Sequence, residues 1–128
     1  LPLLRRIAIA TPEASPAGKF ARAALEGAGL YQQLLSTNRL IQVKDVLQAI
    51  MYLERGEVDA AFVYRTDALQ GSGTEILFEV PRHLYPAVIY PVSLTRAGTD
   101  NPAARLFFRT LTEARSREIL ARYGFGAP

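Results

Sequence analysis

Three positions in this 128-residue chain could bind an anion with neutral hydrogen-bond donors. Ala17 and Val46 each lie where a helix is predicted to begin, and the first backbone N–H groups of a helix have no partner within it. Such N–H groups, together with the positive end of the helix dipole, favour an anion. Tyr64 ends an apolar segment and could add a phenolic O–H donor. Each position also has a simpler interpretation: ordinary helix capping for the first two, and a packed aromatic side chain for Tyr64.

The segments around these positions predict strands followed by helices. "RRIAIA" (5–10) is an apolar run ended by Thr-Pro, which predicts a buried strand. From residue 16 to 27 the apolar residues recur at helical spacing, and glycines follow. Asp45 precedes a second apolar helical face that Gly56 would end, so Asp45 is predicted to cap that helix.

The remaining segments extend the same alternation of strand and helix. Further strands are predicted at 39–43, 58–64, 74–80 and 87–95, and a further helical stretch at 30–36. This order predicts an α/β fold with right-handed crossovers. Ligands of open α/β sheets bind beyond the carboxyl ends of the strands, so Ala17, Val46 and Tyr64 are expected to face the same space.

The last part of the chain predicts two helices. Asn101 or Asp100 is expected to cap the first, with Pro102 at its first position, and a break is expected near Ser116. The apolar side chains of these helices must be buried against either the same chain or a second copy of it, and we expect a dimer. They are Leu106, Phe107, Phe108, Leu111, Ile119, Leu120 and Tyr123.

Composition excludes several classes of protein. The chain contains no cysteine, so disulfides and thiolate sites are excluded, and its net charge of +3 comes without a basic run typical of nucleic-acid binding. No stretch approaches the ~20 apolar residues of a membrane span. His83, the single histidine, is predicted to be a loop residue, and no catalytic constellation, metal site or cofactor motif is evident. We therefore predict neither an enzyme nor a cofactor.

The N-terminus lacks both Met and a secretory signal, which indicates a mature form or an excised segment.

Four segments occur in the order found in the periplasmic molybdate-binding proteins of ABC transporters, which are type II periplasmic binding proteins. They are "RIAIATPEASPAGKFARAALEGAGL", "VKDVLQAIMYLERGEVDAAFVYRTDAL", "IYPVSLT" and "ARYGF". The chain resembles the second lobe and C-terminal tail of that family. The resemblance implies a single Rossmann-like lobe with a mostly parallel sheet flanked by helices. It also implies that molybdate or tungstate is bound as an oxyanion by the amides of Ala17 and Val46 and the hydroxyl of Tyr64, in the periplasm, with an ABC transporter permease as partner.

The resemblance covers about half of the family's length, and we expect the first lobe to be absent. That lobe supplies serine hydroxyls in the family, and Ser36, Ser72 and Ser93 do not match its pattern. We expect a ligand-binding lobe over residues 1–95 and a helical tail over 96–128, packed on the lobe or swapped in a dimer. Such a solo lobe is expected to bind an oxyanion weakly unless a second copy or a partner lobe completes the site.

Two other functions fit the same fold. The chain could be an interaction or signalling domain that retains the fold without a ligand, or the effector-binding domain of a transcription regulator. Two charged residues near the three positions are expected to be uninvolved: Glu13 is predicted to point away from the anion, and Arg65 is predicted to be exposed.

Overall fold

The structure is a computed structural model that describes residues 4–126, and it contains a parallel sheet flanked by helices. A short 3₁₀ turn spans Arg82–Leu84. The elements in chain order are β1 (Ile7–Ala10), α1 (Pro16–Gly27), α2 (Tyr31–Ser36), β2 (Leu40–Val43), α3 (Val46–Glu54), β3 (Ala60–Ala61), α4 (Arg65–Ala68), α5 (Arg96–Thr99), α6 (Pro102–Leu111) and α7 (Ala114–Arg122).

The sheet has the strand order β2-β1-β3, and both pairings are parallel. Ile7 lies opposite Leu40 on one side and Ala60 on the other. The central strand β1 is buried along its whole length, as expected for a parallel sheet covered on both faces. The predicted α/β fold with a parallel sheet is therefore confirmed.

The two faces of β1 build two hydrophobic clusters, because successive side chains of a strand point to opposite faces. Ile7 and Ile9 pack with buried residues of α1 and α2, among them Leu25. Ala8 packs on the other face with Ala49 of α3 and with Val43 and Val58. The helices before and after β2 thus cover opposite faces of the same central strand.

Helix starts lie where their capping residues predict them. Pro16 is the first residue of α1, and Asp45 caps α3 with its Oδ1, which accepts a hydrogen bond from the Gln48 N–H at 2.9 Å. Asn101 caps α6 in the same way, accepting from the N–H groups of Ala103 and Ala104. Each cap side chain accepts from a backbone N–H two or three residues away, so these caps depend on local sequence and not on tertiary packing.

Three of the predicted strands are wrong in whole or in part. The segments 74–80 and 87–95 contain no strand, and 58–64 contributes only the two residues of β3. Ile76, Leu77 and Phe78 are each more than 40% exposed, so no buried face holds their segment against a sheet. Strand propensity mainly reports packing against neighbours, and an apolar run without a neighbouring ladder does not form a strand.

The break between the two C-terminal helices was predicted near Ser116, which instead lies within α7. The break occurs at Thr112 and Glu113. The Thr112 hydroxyl donates a hydrogen bond to the Arg109 carbonyl at 2.7 Å and so satisfies an acceptor at the end of α6. Side-chain hydroxyls that bond to nearby carbonyls compete with helix continuation, and this competition moves the break toward the threonine.

The chain divides into two compact units, one ending at Ala87 and the other beginning at Val88; we call them the first unit and the C-terminal unit. Every buried apolar residue lies in the first unit, and the described part of the C-terminal unit has no buried residue. Within residues 4–126, no helix is both long and apolar enough to cross a membrane. The placement of the C-terminal helices on the lobe or on a second copy stays a prediction.

Candidate functional site

The carboxyl ends of the three strands lie at one edge of the sheet, which we call the carboxyl edge. Ala10 and Val43 are register partners and end β1 and β2, and Ala61 of β3 pairs with Ala8. Parallel pairing therefore sends the chain toward α1, α3 and α4 from the same edge. In open α/β sheets such an edge is where ligands bind.

Thr11 joins the ends of β1 and β2. Its backbone N–H and its hydroxyl both donate to the Val43 carbonyl, at 2.7 and 2.9 Å. Its own carbonyl accepts from the N–H groups of Ala14 and Ser15, which closes a tight turn before α1. The loops that lead to α1 and α3 are thus tied together by a residue that directly follows β1.

The start of α1 presents two backbone donors. Ser15 adopts an extended conformation, but its side chain makes no capping hydrogen bond, and Pro16 has no N–H. The first N–H of α1 that bonds within the chain is that of Lys19, which donates to the Ser15 carbonyl. The N–H groups of Ala17 and Gly18 consequently have no hydrogen-bond partner within the part of the chain that the structure describes.

Gly18 brings this helix start against the end of β1. A Cβ atom at this position would lie 2.1 Å from the Ala10 carbonyl oxygen and 2.8 Å from the Pro12 nitrogen. No side chain fits at such distances, so only glycine permits this approach. This contact was not predicted from the sequence, although a glycine in the first turn of a helix is a signal of close backbone packing.

The start of α3 also presents two donors. The Gln48 N–H bonds to Asp45, and the Gln48 side chain in turn accepts from the Lys44 N–H at 2.7 Å, so the cap is reciprocal. The N–H groups of Val46 and Leu47 remain without a partner among residues 4–126. Ala17 and Val46 are the first donors of their helices, as predicted from the sequence. The second donors, Gly18 and Leu47, were not predicted, because they depend on which amide the cap occupies.

Tyr64 leaves the sheet at the same edge. It follows Ala61, the last residue of β3, by three residues, and Thr11 follows Ala8, the register partner of Ala61, by the same number. Tyr64 is half-buried and precedes α4, and its carbonyl accepts from the N–H groups of Asp67 and Ala68. The register places all three predicted positions at the carboxyl edge, and their joint role in binding stays a prediction.

The charged residues near this edge form pairs on the surface. The Glu13 carboxylate lies 3.7 Å from the Arg22 guanidinium, which also donates to Glu26 at 2.8 Å. The hydrogen bond to Glu26 is the main cause of the raised pKa of Arg22. Arg65 is exposed, as predicted, and its Nε lies 3.0 Å from Glu79. Exposed ion pairs of this kind contribute little to stability. Because these guanidinium groups are paired with carboxylates, the neutral backbone N–H groups remain available as hydrogen-bond donors at this edge.

The described residues of this edge include backbone N–H donors but no metal-binding cluster. Among residues 4–126, no group of three or more His, Cys, Asp or Glu side chains is placed to hold a metal ion. His83 is exposed in the 3₁₀ turn, which confirms its prediction as a loop residue. Four main-chain N–H groups at two helix starts can instead donate to the oxygens of an oxyanion.

The relatives of this chain are solute-binding proteins. An ABC transporter substrate-binding lipoprotein assigned in Bacillus subtilis is 30% identical over 122 residues, which are 95% of this chain and 46% of that protein. The molybdate-binding protein ModA of Escherichia coli is 32% identical over 120 residues, 94% of this chain and 46% of that protein. This chain thus spans about half the length of the curated relatives it matches.

Solved structures agree with these relatives. A Clostridium difficile structure assigned to the substrate-binding domain of a molybdenum ABC transporter matches with a TM-score of 0.87 and 26% identity, over 98% of this chain and 54% of that one. Such relatives are solute-binding proteins and not enzymes. Residues 2–126 match the family described as bacterial extracellular solute-binding protein. Because that match extends over nearly the whole sequence, the chain belongs to the bacterial extracellular solute-binding protein family.

Proposed function

We propose that this chain is an oxyanion-binding lobe of a periplasmic solute-binding protein that serves an ABC transporter, with molybdate or tungstate as its ligand. The observation that carries the proposal is the pair of helix starts at the carboxyl edge, with unpartnered amides at Ala17, Gly18, Val46 and Leu47. The molybdate-binding relative from Escherichia coli supports the same class of ligand.

The proposed site binds the anion through hydrogen bonds alone. A tetrahedral oxyanion has several acceptor oxygens, and each hydrogen bond to a charged group contributes about 1.5–3 kcal/mol. Together these bonds offset the cost of removing the anion from water. The donors are fixed by the helices, so binding orders few side chains. We assign the hydroxyl of Tyr64 as a further donor, with Ala17 and Val46 as the donors at the helix starts.

The sharpest test removes one amide without disturbing the helix. Proline is well tolerated as the first residue of a helix, and the extended backbone of Asp45 avoids the α region that proline disfavours for its predecessor. Val46→Pro should therefore keep α3 and its cap but remove one N–H donor. We expect molybdate affinity, measured by calorimetric titration, to fall roughly 10- to 100-fold.

Two controls separate the amide from the side chain. Val46→Ala keeps the N–H and should bind molybdate within about threefold of the original chain. Tyr64→Phe should weaken binding, whereas Tyr85→Phe should not, because Tyr85 packs edge-on against Phe20 in another part of the first unit. Titrations with molybdate, tungstate and sulfate at two protein concentrations complete the set.

Two results would contradict the proposal. Equal molybdate affinity of Val46→Pro and Val46→Ala would show that the Val46 N–H does not bind the anion. The absence of saturable heat with every anion, in a sample whose circular dichroism shows a folded chain, would favour a fold retained for interaction or signalling.

A further inference from the structure

We propose that Thr11 is a positioning residue that fixes the start of α1 relative to the start of α3, and that this spacing sets the affinity and the size selectivity for an oxyanion. The identity of the ligand rests on the proposed function. Thr11 directly follows β1, and Val43, to which it bonds, ends β2. The two residues therefore lie where the chain leaves the sheet toward the two helices.

The Thr11 side chain repeats a contact that its main chain already makes. The backbone N–H of Thr11 donates to the Val43 carbonyl at 2.7 Å, and the hydroxyl donates to the same oxygen at 2.9 Å. One hydrogen bond fixes a distance but lets the acceptor peptide turn about it, whereas two donors from different atoms limit that rotation. The hydroxyl thus contributes to the orientation of the Val43 carbonyl.

This orientation matters for α3 because a peptide unit is planar. The Val43 carbonyl and the Lys44 N–H belong to one peptide unit, and this N–H donates to the Gln48 side chain at 2.7 Å. Gln48 in turn donates its own N–H to Asp45, which caps α3. Thr11 therefore holds one end of a rigid unit, and the first turn of α3 holds the other end.

Thr11 is also tied to the start of α1. Its carbonyl accepts from the N–H groups of Ala14 and Ser15, at 3.1 and 2.9 Å. Pro12 adds rigidity, because proline disfavours the α region for the residue before it. The first turn of α1 packs against the same backbone, since a Cβ atom at Gly18 would lie 2.8 Å from the Pro12 nitrogen. A continuous series of short contacts therefore joins the starts of α1 and α3 through Thr11.

A fixed spacing between two sets of donors distinguishes anions by size. Binding is strongest when the supporting contacts hold the donors at the separation that the ligand requires. Molybdate is larger than sulfate, so a spacing set for molybdate discriminates against sulfate, and a loosened spacing discriminates less. The Thr11 hydroxyl is thereby expected to influence selectivity without touching the anion.

The test removes the hydroxyl and measures two anions. Thr11→Val keeps the backbone N–H and the branched side chain, and its molybdate affinity in calorimetric titration should fall roughly three- to tenfold. The ratio of molybdate affinity to sulfate affinity should fall as well. Thr11→Ala also lacks the hydroxyl and should behave like Thr11→Val. Thr11→Ser keeps a hydroxyl and should restore both values to within about twofold.

Thr37→Val is the matched control. The Thr37 hydroxyl donates to the Gln33 carbonyl at 2.7 Å, so this substitution also removes a hydroxyl that bonds to the main chain. Thr37 precedes β2, whereas Val43 ends it, so the control acts at the opposite end of the strand. Both the molybdate affinity and the affinity ratio should stay unchanged. Thermal unfolding of each variant compares the losses of stability, which by themselves would not alter the ratio.

Other results overturn the inference in distinguishable ways. Equal affinities and equal ratios for Thr11→Val and Thr37→Val, in a chain that binds molybdate, would overturn the role of Thr11 and leave the proposed function standing. An unchanged ratio despite weaker binding would overturn the spacing as the cause. Weak binding by Thr11→Ser would assign the effect to the shape of the side chain and not to its hydroxyl. A folded chain that binds neither anion would overturn both proposals.

Discussion

In the first unit, Ile7, Ile9 and Leu25 are at most 2% exposed, whereas in the C-terminal unit Leu106 and Phe107 are 63% and 66% exposed. Both regions nevertheless form helices that begin at well-defined caps. Capping is a local property of a few residues, and burial requires partners that are distant in the sequence. The comparison indicates that local signals fix where these helices begin, whereas among residues 4–126 the buried core belongs to the first unit.

The largest expected effect tests this difference with one substitution in each region. Leu25→Ala removes a fully buried side chain and should lower the free energy of unfolding by about 2–5 kcal/mol. Leu106→Ala should change it by less than about 0.5 kcal/mol, because an exposed side chain loses few contacts. Urea unfolding followed by circular dichroism measures both. Equal losses would show that Leu106 is covered in solution and would break the comparison.

The next effect concerns backbone packing in the first unit. Gly18→Ala places a Cβ atom against the Ala10 carbonyl, and the resulting backbone shift should cost about 1–3 kcal/mol. Lys19→Ala changes the adjacent, exposed residue of the same helix and should cost less than about 0.5 kcal/mol. Thermal unfolding measures the pair. A neutral Gly18→Ala would mean that α1 and β1 separate easily at this point.

Removal of the two caps compares the regions directly. Asp45→Ala removes the acceptor of the Gln48 N–H and should lower the free energy of unfolding by about 1 kcal/mol. Asn101→Ala removes the equivalent acceptor in the C-terminal unit and should reduce helical signal, with little effect on the main unfolding transition. A single transition shifted equally by both substitutions would show that the two units unfold together.

The smallest expected effect depends on pH. Asp59 Oδ2 accepts from the N–H groups of Arg6 and Arg5, each at 2.7 Å, and these bonds lower the pKa of the Asp59 carboxyl. A lowered pKa in the folded state stabilises the fold above the unfolded-state pKa of about 3.9, and this contribution is lost as the pH falls through the folded-state pKa.

Asp59→Asn should therefore lower the free energy of unfolding slightly at pH 7. The difference in this free energy between the variant and the original chain should become smaller near pH 3. Asp100→Asn, at an exposed position of the C-terminal unit, is the matched control and should change the free energy of unfolding at pH 7 by less than about 0.5 kcal/mol. A gap that stays constant with pH would rule out the carboxylate as the source of the effect. Urea unfolding at the two pH values provides the measurement.

The parts of the fold that the sequence predicts well are those set by local chemistry. Pro16, Asp45 and Asn101 lie next to apolar residues at helical spacing, and each marks a helix start in the structure. The segments 74–80 and 87–95 resemble strands in composition, but a strand also needs a neighbouring ladder and a buried face. Neither requirement can be read from the segment itself, so both predictions failed.

In the candidate site, too, the sequence predicts local features but not the contacts that form only in the folded chain. The helix starts at Ala17 and Val46 follow from the caps and the strand order, and so does their common edge. Which amides stay unpaired depends on whether the cap side chain bonds, as Asp45 does and Ser15 does not. The contact between Gly18 and Ala10 requires the folded backbone, so composition alone does not predict it.

The donors at the carboxyl edge belong to the main chain, and this has a consequence for how the chain tolerates mutation. Every amino acid except proline supplies the same N–H group at positions 17, 46 and 47, so an alanine scan would pass over these donors without detecting them. Positions 17 and 18 are more constrained, because Ala17 belongs to the buried core and any side chain at position 18 meets the Ala10 carbonyl. Random substitution can therefore change most of the side chains at this edge while the donors persist, and only backbone-directed replacements such as proline will reveal them.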